Sequence, residues 1–227
     1  MKRFVDCRRL LAGIVVVARF LALPGAPARC AEPAWIGLFD GKTLDGWKVT
    51  DFGGPPEEVH VDDGKLVLEM GAAAMSGVTW TRDVPKIDYE VSLDAMRVEG
   101  SDFFCGLTFP VKDAFCSLIV GGWGGSLVGL SSFDGMDASQ NETTASMAFE
   151  NRRWYPVRLR VTAGRIQAWI GAKRLVDARP GERRISVRAE VENSKPFGIA
   201  TWHTKAALKD IRVRLLSPDE IKAAREE

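Results

Sequence analysis

The chain has 227 residues, 46% of them apolar and 27% charged, with 31 basic side chains against 30 acidic ones. That length supports one full hydrophobic core, and the near-even charge excludes the electrostatic footprint of a nucleic-acid binder. Two histidines and four cysteines, none at metal-ligand spacing, give no basis for a zinc centre.

Residues 1–28 read as an export signal. Lys2, Arg3, Arg8 and Arg9 form a basic start, Leu10 to Ala18 an apolar run that Arg19 interrupts, and Ala26-Pro27-Ala28 a small-residue cleavage site. The apolar run is shorter than the ~20 residues of a membrane span, so no transmembrane segment is expected. Cleavage removes five basic residues and one acid, taking the formal charge from +1 to −3 and placing the mature chain in the periplasm or outside the cell.

Period-two alternation dominates the mature chain. Val59 to Met70 reads as a hairpin turning at Asp62-Asp63-Gly64-Lys65, and Tyr89 to Met96, Pro156 to Val161 and Lys209 to Leu215 alternate cleanly. Further strands are predicted at Gly77–Thr81, Phe103–Phe109, Ala114–Val120, Leu127–Ser131, Arg165–Ile170, Lys173–Val176 and Gly198–Thr201. About a dozen short strands with Gly/Asp turns predict an all-β, two-sheet antiparallel sandwich over residues 32–217. Only residues 218–227 look helical, a charged tail in which Ser217 caps and Glu220 completes a capping box. Cys105 and Cys116 fall on the same face of a predicted hairpin, either as a disulfide or as two buried thiols.

The stretch Leu38-Phe39-Asp40-Gly41-Lys42-Thr43-Leu44-Asp45-Gly46-Trp47 is similar to the opening motif of the 3-keto-disaccharide hydrolase domain family. Trp80-Thr81-Arg82-Asp83, Asp88-Tyr89-Glu90-Val91, Gly100 to Phe109, Gly164 to Ile170, Gly198-Ile199-Ala200 and Asp210 to Val213 resemble its later blocks. The resemblance implies a concanavalin A-like jelly roll in an exported bacterial protein that handles saccharides. It implies either a hydrolase or lyase acting on 3-keto-glycosides or a non-catalytic glycan-binding module. One region departs from the family: Phe115 to Ser126 lacks the carboxylates expected on that strand.

A 3-keto-sugar has an acidic hydrogen on C2. Its removal gives an enolate that can expel the group on C1, so the chemistry needs a base and a donor or cation on the enolate oxygen. His203 or Asp94 is the candidate base and Arg97 the candidate cation, although Asp94 and Arg97 need a bulge after Met96 to share a face. Trp123, framed by Gly121-Gly122 and Gly124-Gly125, is either a platform for a sugar ring or a buried core residue. The long polar loop from Ser131 to Thr143 supplies Asp134, Asp137, Asn141 and Glu142 as candidate saccharide contacts beside Trp123. Its acids offer oxygen ligands for calcium, but the spacing departs from an EF-hand, and no cofactor or metal is assigned.

Overall fold

A computed structural model describes residues 33–54 and 58–226. The export-signal and cleavage readings lie outside the described residues. Among the described residues, fifteen strands form two antiparallel sheets. In chain order they are β1 (Ile36–Gly37), β2 (Trp47–Val49), β3 (Val59–Asp62), β4 (Lys65–Leu68), β5 (Met75–Trp80), β6 (Tyr89–Gly100), β7 (Cys105–Val111) and β8 (Ala114–Gly121). Then come β9 (Leu127–Ser131), β10 (Ala145–Ser146), β11 (Trp154–Val161), β12 (Ile166–Ile170), β13 (Lys173–Ala178), β14 (Gly198–Trp202) and β15 (Thr204–Leu215). One sheet runs β13-β12-β11-β6-β15-β4-β3, with β1 added along β15; the other runs β10-β9-β8-β7-β14-β5-β2. A helix, α1 (Pro218–Glu226), closes the chain.

This is the all-β sandwich that alternation predicts. The inward residues of both sheets bury one another: Val91 and Leu93 of β6, Leu159 of β11, Leu107 and Phe109 of β7 and Leu118 of β8 are each at most 1% exposed. Tyr89 is also buried there and donates its hydroxyl to the Pro110 carbonyl at 2.7 Å, so its one polar atom is satisfied. Trp47 packs edge-on against Trp80 with ring centroids 5.1 Å apart, and its indole N–H donates to the Leu38 carbonyl at 2.8 Å. The opening motif is therefore a structural corner of the sandwich.

Cys105 and Cys116 both face the core as free thiols. Cys105 lies opposite Val120, whereas Cys116 lies opposite Phe109, four residues further along β7. That offset is about 13 Å at 3.3 Å per residue, far beyond the ~7 Å limit for a disulfide. Burial pushes both thiols up to about 12, which keeps them protonated.

One long connection shapes the outside of the second sheet. After β13, residues 184–186 pair with residues 132–134: the Ser132 and Ser186 amides donate to each other's carbonyls at 2.6 and 3.1 Å, and the Asp134 amide donates to the Arg184 carbonyl at 2.8 Å. A 3₁₀ turn, Ala189–Ser194, then crosses back over β5 and β14. The Thr79 hydroxyl donates to the Asn193 carbonyl at 3.0 Å, and the Asn193 amide group donates to the Asp51 carbonyl at 2.7 Å. The sheet admits this cover at Gly198 and the loop after β9 at Gly129. A Cβ on Gly198 would lie 2.6 Å from the Ser194 carbonyl oxygen, and one on Gly129 would lie 3.0 Å from that of Ala138.

Candidate functional site

Between the cover and the outer face of the second sheet lies a cavity of about 270 Å³. Alternation along β8 explains its floor. Cys116, Leu118 and Val120 point into the core, which leaves Ser117 and Ile119 pointing out, and Ser131 of β9 joins them. Met75 and Trp202, paired in register at the ends of β5 and β14, form one side. Asp102, Phe103 and Trp123 form another, and Arg188, Glu190 and Val191 of the cover form the roof.

Trp123 sits at the mouth. The turn after β8 places it in the left-handed region at φ 48°, with Gly121, Gly124 and Gly125 also at positive φ. A left-handed non-glycine residue costs roughly 1–2 kcal/mol, and here it leaves the indole 44% exposed. Asp102 braces this turn. Its Oδ2 accepts the Gly124 amide at 3.2 Å, and its Oδ1 accepts the Phe103 amide at 2.7 Å.

The polar loop after β9 reaches the cavity indirectly. Asp137 Oδ2 accepts Arg188 Nη1 at 2.8 Å, and Asp137 Oδ1 accepts the Ser139 hydroxyl at 2.6 Å. Asn141 is buried and pins the loop, donating to the Leu130 and Asp137 carbonyls at 2.8 Å. Asp134 accepts the Arg184 amide at 2.9 Å, and Glu142 pairs with Arg183. None of Asp134, Asp137, Asn141 and Glu142 lines the cavity; together they hold the segment that does. Among the described residues no three His, Cys, Asp or Glu side chains are grouped to hold a metal ion.

The three residues read from the sequence as catalytic stand apart from one another. Asp94 is on the outer face of the other sheet, 3.9 Å from Lys209 Nζ, with partial burial pushing its carboxyl upward. Arg97 points the opposite way and is buried, donating to Asn151 Oδ1 at 2.6 Å, the Phe149 carbonyl at 2.6 Å and the Gly125 carbonyl at 3.2 Å. The ladder between β6 and β15 shifts register after Arg97, yet Arg97 and Asp94 keep opposite faces. His203 is exposed in the turn between β14 and β15 at φ 43°, its amide donating to the Ala74 carbonyl at 2.7 Å and its ring edge-on to Trp202.

The sequence profile of the 3-keto-α-glucoside-1,2-lyase-like domain matches residues 34–214. The chain belongs to that family. No curated protein gives a sequence match. Among solved structures, the family fold seen here is similar to the Crh5 transglycosylase at TM-score 0.58, with 11% identity over 83% of this chain and 86% of that one. It is also similar to a Bacillus subtilis protein with a galectin-like fold at TM-score 0.55, with 13% identity over 76% of this chain and 90% of that one. A sialidase matches at TM-score 0.52 and 13% identity over 79% of this chain and 18% of that one. These likenesses establish the concanavalin A-like jelly roll. Family membership makes this 3-keto-α-glucoside-1,2-lyase-like domain a carbohydrate-related one.

Within this lyase-like domain the acids nearest the cavity differ from those singled out in the sequence. Glu190 takes Arg188 in a two-pronged pair at 2.7 and 3.3 Å, and that hydrogen-bonding holds its carboxyl below the usual range while raising the Arg188 guanidinium. Asp102, Arg188, Glu190, Phe103 and Trp202 were not legible as a site because they come from three separated segments. One signal was available: residues 177–197 lack any periodicity, and a connection longer than about 12–15 residues without elements of its own is often functional. The strand on which the resemblance led to an expectation of carboxylates, β8, forms the cavity floor, and there it presents Ser117 and Ile119.

Proposed function

We propose that this protein is an exported glycan-binding domain that seats a sugar ring in the cavity between Trp123 and Trp202. The observation that carries this reading is the exposed indole of Trp123 at the mouth of a cavity whose two acids are already engaged. A pyranose ring has an apolar C–H face that packs on an indole, and Met75, Phe103, Ile119 and Trp202 give the cavity the apolar walls such a ring needs. Asp102 accepts two backbone amides, and Glu190 accepts the Arg188 fork. The Arg188 fork holds the Glu190 carboxyl below its usual range, and a carboxylate so lowered is a poor base for a carbon acid.

One observation favours catalysis as a second reading: Glu190 and Arg188, a carboxylate and a cation, stand side by side in the cavity roof. In that reading Glu190 takes the C2 proton of a 3-keto-glycoside, Arg188 stabilises the enolate oxygen, and the C1–O bond breaks with the electron pair leaving on the glycosidic oxygen. The purified protein is to be titrated with, and incubated with, 3-keto-glucosides and ordinary glucosides. Binding without turnover supports the module. Turnover that Glu190→Gln abolishes supports the lyase, and absence of both binding and turnover overturns the site.

A further inference from the structure

A second cavity, of about 390 Å³, opens beside the first and shares Met75, Glu190 and Trp202 with it. Its remaining walls come from Thr50 and Phe52 after β2, Ala72 and Ala74 before β5, and Gly77. The character of the two differs. The first has an exposed indole and a charged roof; the second is walled mostly by small residues and one half-buried phenyl ring.

The two cavities lie along one line across the strands. The first rests on β9 and β8 and the second on β5 and the end of β2, with β7 and β14 between. From β9 to β2 is five strand spacings, about 24 Å at ~4.8 Å each. That span exceeds a two-ring sugar. A ligand confined to the first cavity would leave the second one empty and its Phe52 ring without a partner on that side.

We infer that the two cavities are consecutive subsites of one groove and that the ligand is an unbranched oligosaccharide of more than two sugar units, lying across the strands and crossing over Trp202. This deepens the saccharide reading above and rests on it. The first cavity fixes one ring through Trp123, and the second accepts the continuing chain through Phe52. Its small-residue walls set no demand for a particular substituent. Glu190 borders both subsites, and its pairing with Arg188 keeps the junction free of an uncompensated positive charge.

The test is calorimetric titration of the full protein with cello-, laminari- and malto-oligosaccharide ladders from dimer to hexamer. In the ladder that binds, the tetramer is expected to bind roughly tenfold more tightly than the dimer, the gain one well-packed aromatic contact supplies. Phe52→Ala is expected to remove that gain and leave dimer affinity unchanged. Because Phe52 also packs against Met75 and Val191, Ala72→Trp, at an exposed position on the rim of the second cavity, is the companion variant and is expected to block the tetramer while sparing the dimer. Equal affinity for dimer and tetramer, or variants that weaken both alike, overturns the second subsite while the first stands. If no ladder binds, the saccharide reading fails and this inference fails with it.

Discussion

Asp137 and Arg188 are joined by a 2.8 Å ion pair that ties the loop after β9 to the roof of the cavity. Arg188 is at the same time clamped by Glu190 at 2.7 Å, so the cation is fixed from both sides. Asp137→Asn removes one clamp. The pair is partly exposed, so the fold should lose no more than about 1 kcal/mol. Saccharide affinity should fall more than stability does, because the roof loses its fixed position. Parallel urea titration and calorimetry separate the two; equal losses would mean that Asp137 serves the fold alone.

Trp123→Ala should weaken saccharide binding by roughly tenfold, the scale of one aromatic contact. Its melting temperature should barely change, since the indole is 44% exposed and its left-handed backbone is a cost to the folded state. Trp123→Gly should melt slightly higher than Trp123→Ala, because glycine accepts φ 48° without strain. Differential scanning calorimetry of the three proteins decides this.

Arg97→Ala should destabilise the protein by about 3 kcal/mol. Arg97 is 7% exposed and is the donor to Asn151, Phe149 and Gly125, so its loss leaves buried carbonyls without a partner. The measurement is urea unfolding. A change below about 1 kcal/mol would show that water replaces the guanidinium there.

Burial of Glu220 pushes its carboxyl up, but hydrogen bonds from Arg214 and from the Ser217 amide and hydroxyl outweigh this and hold it down at about 2, against a usual 4.5. A carboxylate with a depressed folded-state pKa stabilises fully above its unfolded pKa, and that stabilisation is lost as pH falls from about 4.5 toward 2. Protection factors across α1, exchange rates referred to the intrinsic rate at each pH, should therefore fall in acid, and Glu220→Gln should show weak protection already at neutral pH. Identical exchange in parent and variant at neutral pH would remove Glu220 from the stability of this helix.

The two core thiols should stay unreactive toward a thiol-specific reagent in the native protein and react together on unfolding. Both are fully buried, and burial holds both at about 12. Reductant should leave the unfolding midpoint unchanged. Native labelling of either cysteine at a rate faster than global unfolding would contradict the packing of β7 against β8.

The strands were legible wherever one face met the core and the other met solvent. Tyr89 to Met96 and Pro156 to Val161 alternate in sequence and pair residue for residue as β6 and β11. Where both faces are covered, the pattern fails: Ala206-Ala207-Leu208 is buried on both sides, so β15 begins well before the Lys209 expected from alternation. Asp210, at φ 53°, breaks the register of β15 within that strand. Trp123 was legible because glycines frame it, whereas the loop read beside it reaches the cavity only through Asp137 and Arg188, its four polar residues staying off the lining. Arg188 and Glu190 were not, since nothing in a non-periodic segment says which strand it will cross. The pairing of Asp94 with Arg97 failed for a plain reason: the register shift near Arg97 leaves strand parity intact, and residues three apart still look away from each other.

Gly129 and Gly198 have a bearing on descent and on redesign. Each lets a crossing backbone rest directly on the sheet, Gly198 the cover at Ser194 and Gly129 the loop after β9 at Ala138, so each crossing and the strand beneath it form one heritable unit. A relative cannot exchange the segment over β14 for a bulkier one and keep the same bed, nor place a larger residue in the bed and keep the cover. Any transplant of saccharide preference between members of this fold therefore has to carry Gly198 with the segment from Arg184 to Ser194, and Gly129 with the loop after β9. A graft of the segment alone onto a sheet with a side chain at the position of Gly198 would ride high and leave the groove without a roof.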